Sequence, residues 1–195
     1  MKKRVIGYLL LIVVVVLGLT SFPQDRRVRS LMPHLPAPIA SEKALVTPAG
    51  QGPEGLIVSE ICDTLNIDNS FMYWAEPQDL LGFSSLIIAL GFSKQGLYSL
   101  HKEEEEEIAR VSQLVQAAEQ QNIPVVLIHL GGPDRRGAVN DALAEILAAA
   151  ADYIIVTQDG ERDGFFTALA EANNIPVTVV NGVTAVKVPL NSVFR

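Results

Sequence analysis

The sequence predicts an α/β fold: a doubly wound, mostly parallel sheet of about six strands, Rossmann- or flavodoxin-like, behind an N-terminal transmembrane or signal helix. Three observations carry the prediction. An unbroken apolar run at residues 86–90 (LIIAL) recurs in the same shape, almost wholly apolar, at 125–130 (VVLIHL) and 153–157 (YIIVT). Such runs, bounded by turn residues, are the pattern of strands buried on both faces. Each opens into a polar loop containing glycine, and the stretches between them carry apolar residues at helical spacing.

In chain order, residues 1–4 are a basic cap and residues 5–19 are apolar throughout. This reads as an export signal, and three features favour an uncleaved anchor over residues 1–22. The apolar run approaches the roughly 20 residues that span a bilayer. No small-x-small cleavage site follows it closely, and no cysteine follows to take a lipid. The orientation expected is with the domain on the extracytoplasmic side; the alternatives are secretion after cleavage and a domain held on the cytoplasmic face. Residues 23–42 contain Pro23, Pro33, Pro36 and Pro38 and no periodicity, and read as a stiff linker. Residues 43–195 form the α/β domain.

Within that domain the first strand covers residues 44–47, and a helix over 54–65 places Leu56, Ile57, Ile61 and Leu65 on one face. The second strand is read at 71–75 and the third at 86–90. A long helix over 102–121 buries Ile108, Val111, Leu114, Val115 and Ala118. Glu103 to Glu107 lie in its first turns, where the positive end of the helix dipole favours them, and are read as a solvated helix start. The fourth strand is 125–130, followed by a helix over 138–150 with Val139, Ala142, Leu143, Ile146 and Leu147 inward. The fifth strand is 153–157, and a helix over 164–173 is expected to be capped by the Asp163 carboxylate. The sixth strand is 177–180, and residues 183–195 are read as a surface segment packed back on the sheet. Strands alternating with helices of ten or more residues require parallel neighbours and right-handed crossovers. The first choice of strand order is 2-1-3-4-5-6, with 3-2-1-4-5-6 as the alternative.

Charge excludes one class of partner. Of the 15 basic residues, six precede Ser30, leaving nine basic against 21 acidic residues beyond it, a net charge of −12. A nucleic-acid binder needs basic surface to displace counterions from phosphates, so no nucleic-acid partner is expected. The single cysteine, Cys62, has no partner for a disulfide and is read as a small buried apolar residue on a helix. The three histidines, His34, His101 and His129, show no metal-ligand spacing, and no metal or cofactor is expected.

In doubly wound sheets ligands bind beyond the carboxyl ends of the strands, where the strand order reverses. The loops after strands one, three, four and five hold most of the unusual residues here. Their glycines and amides, with Lys94, Arg135 and Arg136, suit an anion; the competing reading is that wet turns simply tolerate glycine and charge. The ligand-binding candidates are Thr47, Gly50, Gln51, Ser93, Lys94, His129, Arg135 and Arg136. Gly50, Gly52 and Gly55 spell GxGxxG, with Glu76 about 20 residues on, where a dinucleotide fold places its ribose-binding acid. Against that motif, residues 47–49 intervene before the first glycine, and Pro53 removes an amide. His129 at a strand end is a candidate general base. Ser93 is a candidate nucleophile, with Ser84 as a second, although no GxSxG elbow surrounds either.

The segments LVTPAGQG, GFSKQGL, HLGGPDRRG with Asp141, and QDGERDGFFTALAEANNIPV together resemble a DUF6305-like family of exported or membrane-anchored bacterial domains. The resemblance runs from about Ala44 to the C-terminus. The family pattern reads Thr-Ser-Ala-Gly-Gln in the first loop, where this chain has Pro48 in place of the serine. The resemblance implies a location and a fold, and no chemistry. The expectation is therefore a membrane-anchored extracytoplasmic domain holding a small anionic ligand at the strand ends. One alternative is a hydrolase or transferase with His129 as general base. The other is a structural partner-binding domain without a small ligand.

Overall fold

The computed structural model describes residues 33–195; the anchor read at residues 1–22 and the first part of the linker lie outside the described residues. Six strands form one parallel sheet in the order β2-β1-β3-β4-β5-β6, the first of the two orders expected. They are β1 (Ala44–Ala49), β2 (Asn69–Phe71), β3 (Ser85–Leu90), β4 (Val125–His129), β5 (Tyr153–Thr157) and β6 (Val177–Val180). The helices are α1 (Glu54–Thr64), α2 (Lys94–Ser99), α3 (Glu104–Gln120), α4 (Ala138–Ala148), α5 (Phe165–Asn173) and α6 (Lys187–Phe194). Among the described residues no helix is long and apolar enough to cross a membrane.

The apolar runs are continuous because both sheet faces are covered. On one face Leu45, Leu86, Ile88, Leu127 and Ile154 pack under α3, α4 and α5 through Leu114, Leu143, Leu147 and Phe166. On the other, Val46, Ile87, Val126, Ile128 and Ile155 pack under α1 and α6 through Val58, Cys62, Leu190 and Val193. Alternate residues of each strand serve opposite cores, so neither face reads as polar. Burial pushes the Cys62 thiol up to about 12, consistent with a packing role.

Several boundaries differ from the sequence reading, each for a tertiary reason. Strand β1 continues through Pro48 and Ala49, which register with Ala89 and Leu90. Strand β2 is Asn69–Phe71 rather than 71–75. Beyond Met72, whose amide donates to the Val46 carbonyl, the chain leaves the sheet. There the carbonyls of Tyr73 and Ala75 accept from the side chains of Gln51 and Arg110. Helix α2 lies where a loop was expected. Its N-cap is Ser93, whose hydroxyl accepts from the Gly96 amide at 3.1 Å. The C-terminal segment is a 3-10 turn (Val183–Val186) leading into α6, and its Leu190 and Val193 are fully buried core residues.

The proline-rich stretch is docked from residue 33 onward rather than extended. Thr178 Oγ1 donates to the Pro33 carbonyl at 2.7 Å, Leu35 is buried, and the Ile39 and Ala40 amides share the Val193 carbonyl. Glu42 pairs with Arg195 at 2.7 Å. Proline forbids a helix here but does not forbid packing.

Candidate functional site at the exit of strand β3

The strand order reverses between β1 and β3, since the chain moves from β1 outward to β2 and then back across to β3. The carboxyl ends of these two central strands are bound tightly together. The Gly91 amide donates to Ala49 O (2.9 Å), the Gly52 amide to Gly91 O (2.7 Å) and the Ser93 amide to Gly50 O (2.7 Å). Close approach requires glycine. A Cβ on Gly50 would lie 2.7 Å from the Phe92 Cα, and Gly50 has φ +89°. At Gly52 and Gly91 a Cβ would collide with the Glu54 carboxylate, which lies over both.

Four side chains reach this exit from different elements. Glu54, the first residue of α1, is 4% exposed. Its Oε1 is 3.3 Å from Arg135 Nε, and its Oε2 has no hydrogen-bond partner among the described residues. Arg135, in the loop after β4, also donates to the Phe92 carbonyl at 3.4 Å, and its side chain is 39% exposed. Asn140, on α4 and 2% exposed, accepts from the Phe92 amide at 3.1 Å, while its Nδ2 has no partner among the described residues. His129 ends β4, and its Nδ1 lies 3.0 Å from the Leu90 carbonyl. A carbonyl can only accept, so Nδ1 carries the hydrogen and Nε2 presents a lone pair.

A second buried network holds the β1 exit in place. Glu107 Oε1 accepts from the Gly50 amide at 2.6 Å and from Gln51 Nε2 at 3.3 Å. Arg110 donates to Glu107 through Nε and Nη2, both at 2.8 Å, and to the carbonyls of Ala75 and Pro48 at 2.8 and 2.7 Å. The glutamate run is thus not wholly a solvated helix start, because Glu107 is buried. Stepping back four residues from Val111 along the inward stripe of α3 reaches Glu107, and that spacing is the signal by which the sequence marks it. Glu54 and Asn140 carry no comparable sequence signal.

The eight candidates divide. Gly50, Gln51, Ser93 and Arg135 converge on the β3 exit, and Lys94 stands exposed two residues beyond Phe92. With Gln95, Tyr98, Lys102 and Glu103, Lys94 lines a groove of ≈ 560 Å³ between α2 and α3. Thr47 is fully buried in β1, and its hydroxyl has no partner among the described residues. Arg136 serves the loops: it binds Asp141 at 2.7 Å, Asp163 at 2.9 Å and the Gly160 carbonyl, and lies 4.1 Å from the Phe165 ring centre. Asp163, expected to cap α5, is engaged mainly by Arg136. Glu161 takes the capping role, accepting from the Phe166 and Thr167 amides at 2.9 Å. Ser84 precedes β3, at the opposite end of the sheet.

His129 is fully buried, with its ring centre 4.9 Å from that of Phe166, and a Cβ at residue 160 would lie 2.6 Å from its Cδ2. Its hydrogen bond goes to the backbone. Burial lowers its pKa, Arg136 and Arg135 add to that, and the Leu90 carbonyl and Asp141 oppose it. The sign for stability follows. The unfolded imidazole binds a proton below about pH 6.5 while the folded one does not, so stability is present above that pH and lost as the pH falls toward the folded value. The urea midpoint is expected to drop between about pH 7.5 and about pH 5.5, and His129→Gln to reduce the drop; an unchanged pH profile would contradict a neutral His129.

The GxGxxG reading loses one objection and gains two others. Gly50 does follow β1 directly, since the strand extends to Ala49. Its amide, however, already holds the Glu107 carboxylate, and the Gly52 amide is bonded to Gly91. Glu76 lies five residues past β2, where its side chain and that of Asp79 cap a 3-10 turn.

No curated protein matches the chain. Among solved structures it is similar to a GDSL-like lipase from Bacteroides thetaiotaomicron (13% identity, 70% of this chain and 66% of that one, TM-score 0.32). It is also similar to an esterase, AlinE4, in a serine-to-alanine form (12% identity, 69% and 72% coverage, TM-score 0.27). The chain spans just under two thirds of the lipase's length. The sequence model of DUF6305, a domain of unknown function, matches residues 41–194, and this chain belongs to that family.

Proposed function

We propose that this domain binds a small ligand bearing an anionic group at the exit of β3, with Arg135 and Lys94 as the charges that meet it. The observation that carries the reading is a contrast among three arginines. Arg110 and Arg136 each make four hydrogen bonds to carboxylates and carbonyls. Among the described residues Arg135 makes only two long contacts, at 3.3 and 3.4 Å, and its side chain is partly exposed. A guanidinium carries five donors in a planar fork suited to carboxylate or phosphate, so Arg135 keeps most of its capacity. The same reading tethers the domain through residues 1–22, on the strength of the apolar run at 5–19, and places it outside the cytoplasm.

The enclosed imidazole of His129 and the capping role of the Ser93 hydroxyl support binding over hydrolysis. The test is a thermal-shift screen of carboxylated and phosphorylated metabolites on the full chain in mild detergent. A stabilising compound whose effect disappears in Arg135→Ala and weakens in Lys94→Ala is the expected result. Turnover abolished by His129→Ala would replace this reading with the hydrolase. No response to any compound would favour a partner-binding domain.

A further inference from the structure

Two polar groups that meet the same Gly91–Phe92 segment as Arg135 are as underused as the arginine itself. Glu54 Oε2 and Asn140 Nδ2 belong to side chains 4% and 2% exposed, and neither atom has a hydrogen-bond partner among the described residues. Each side chain is oriented by its other polar atom toward the same short segment. Glu54 Oε1 faces Arg135 with the carboxylate lying on Gly91, and Asn140 Oδ1 accepts from the Phe92 amide. Arg135 reaches the Phe92 carbonyl. The exit of β3 is therefore ringed by a carboxylate oxygen that can only accept, an amide NH2 that can only donate, and a guanidinium with free donors.

Buried polar groups of this kind are costly unless something bonds to them. We infer that the ligand is a zwitterion of the α-amino-acid class, inserted between Arg135 and Glu54, its carboxylate on Arg135 and Asn140 Nδ2 and its ammonium on Glu54 Oε2. The inference rests on the ligand-binding reading above and adds a cationic group to it. Charge balance selects this class. A simple anion drawing Arg135 away would leave the buried Glu54 charge uncompensated, and a simple cation on Glu54 would do the same to Arg135. A zwitterion replaces one ion pair by two without altering the net charge. The ion-pair contact it must open is 3.3 Å long and the swing also releases the 3.4 Å bond to the Phe92 carbonyl, both long, whereas Arg136 holds Asp141 through two bonds of 2.7 and 3.2 Å. Arg135 can thus swing outward while Arg136 keeps the loop in place.

Glycine, alanine and glutamate are titrated calorimetrically into the full chain in mild detergent, beside acetate, inorganic phosphate and methylamine. Saturable binding is expected for at least one amino acid and for none of the three singly charged or simple ions. Glu54→Gln and Arg135→Ala are each expected to weaken it by about tenfold or more, because each leaves one ligand charge unpaired. Arg135→Ala alters a partly exposed side chain and keeps the test valid if Glu54→Gln fails to fold. Equal binding of acetate or phosphate, unaffected by Glu54→Gln, would overturn the zwitterion while leaving the anion site intact. No binding by any probe, in a chain that unfolds cooperatively, would overturn both.

Discussion

Replacing Glu107 by alanine is expected to be the most damaging single change in the domain, costing about 3–5 kcal/mol. The carboxylate is 1% exposed and accepts from the Gly50 amide, Gln51 and Arg110. Its removal leaves Arg110, itself 4% exposed, as a buried charge without its counter-ion, and also frees the Gly50 amide. The direction of a second variant separates the charge from the packing. Glu107→Leu combined with Arg110→Met removes both charges and is expected to recover much of the loss, since well-packed apolar residues often replace a buried pair at little cost. Urea unfolding provides the measurement, and Trp74, the single tryptophan, provides the probe, with the Arg110 guanidinium 4.9 Å from its ring centre. Equal losses in the single and double variants would show that the hydrogen bonds the pair makes to the backbone, at Gly50, Ala75 and Pro48, dominate over the unpaired arginine.

Gly50→Ala is expected to rank second, with a loss above the roughly 1–3 kcal/mol of backbone strain alone. Two effects add at this position. The φ of +89° is one that an L side chain rarely adopts, and the new Cβ would meet the backbone of Phe92 and Gly91 at 2.7 and 2.9 Å. Gly82 supplies the control, because its φ is +86° and nothing lies within 4 Å of its Cβ position. Gly82→Ala therefore reports the φ cost, and the excess at Gly50 reports the closeness of β1 and β3. Comparable losses at both positions would mean that the Phe92 segment yields easily. In that case the glycine would be needed for the turn and not for the approach of the two strands.

Proline placement taught a different lesson. The sequence reading ends the first strand at residue 47, just before Pro48, yet β1 continues through it, since its registered neighbour Ala89 lies within a ladder that tolerates one missing donor. Pro33 and Pro36 suggested a spacer, yet the chain beside them is bonded to β6 and α6. In both places the residue type limits the local conformation and leaves the tertiary partners open.

What could be read from residue order was the architecture. Five-residue apolar runs separated by amphipathic stretches dictate buried parallel strands with helices on both faces, and the topology rules for such units leave few strand orders, of which the first considered is the one found. Those signals are local, because period and run length are properties of neighbouring residues. The assignment of partners among the loops was not legible, because it is decided by contacts between distant segments. Glu107 and Gly50 are 57 residues apart, Asn140 and Phe92 are 48 apart, and Arg135 and Phe92 are 43 apart. Sequence places glycine, lysine and arginine at the strand ends; only folding determines that Glu107 and Arg110 satisfy each other while Arg135, Glu54 and Asn140 are left with bonding capacity. Hydrogen-bond satisfaction depends on distances of a few tenths of an ångström, and those arise when helices from both faces converge on the two central strands.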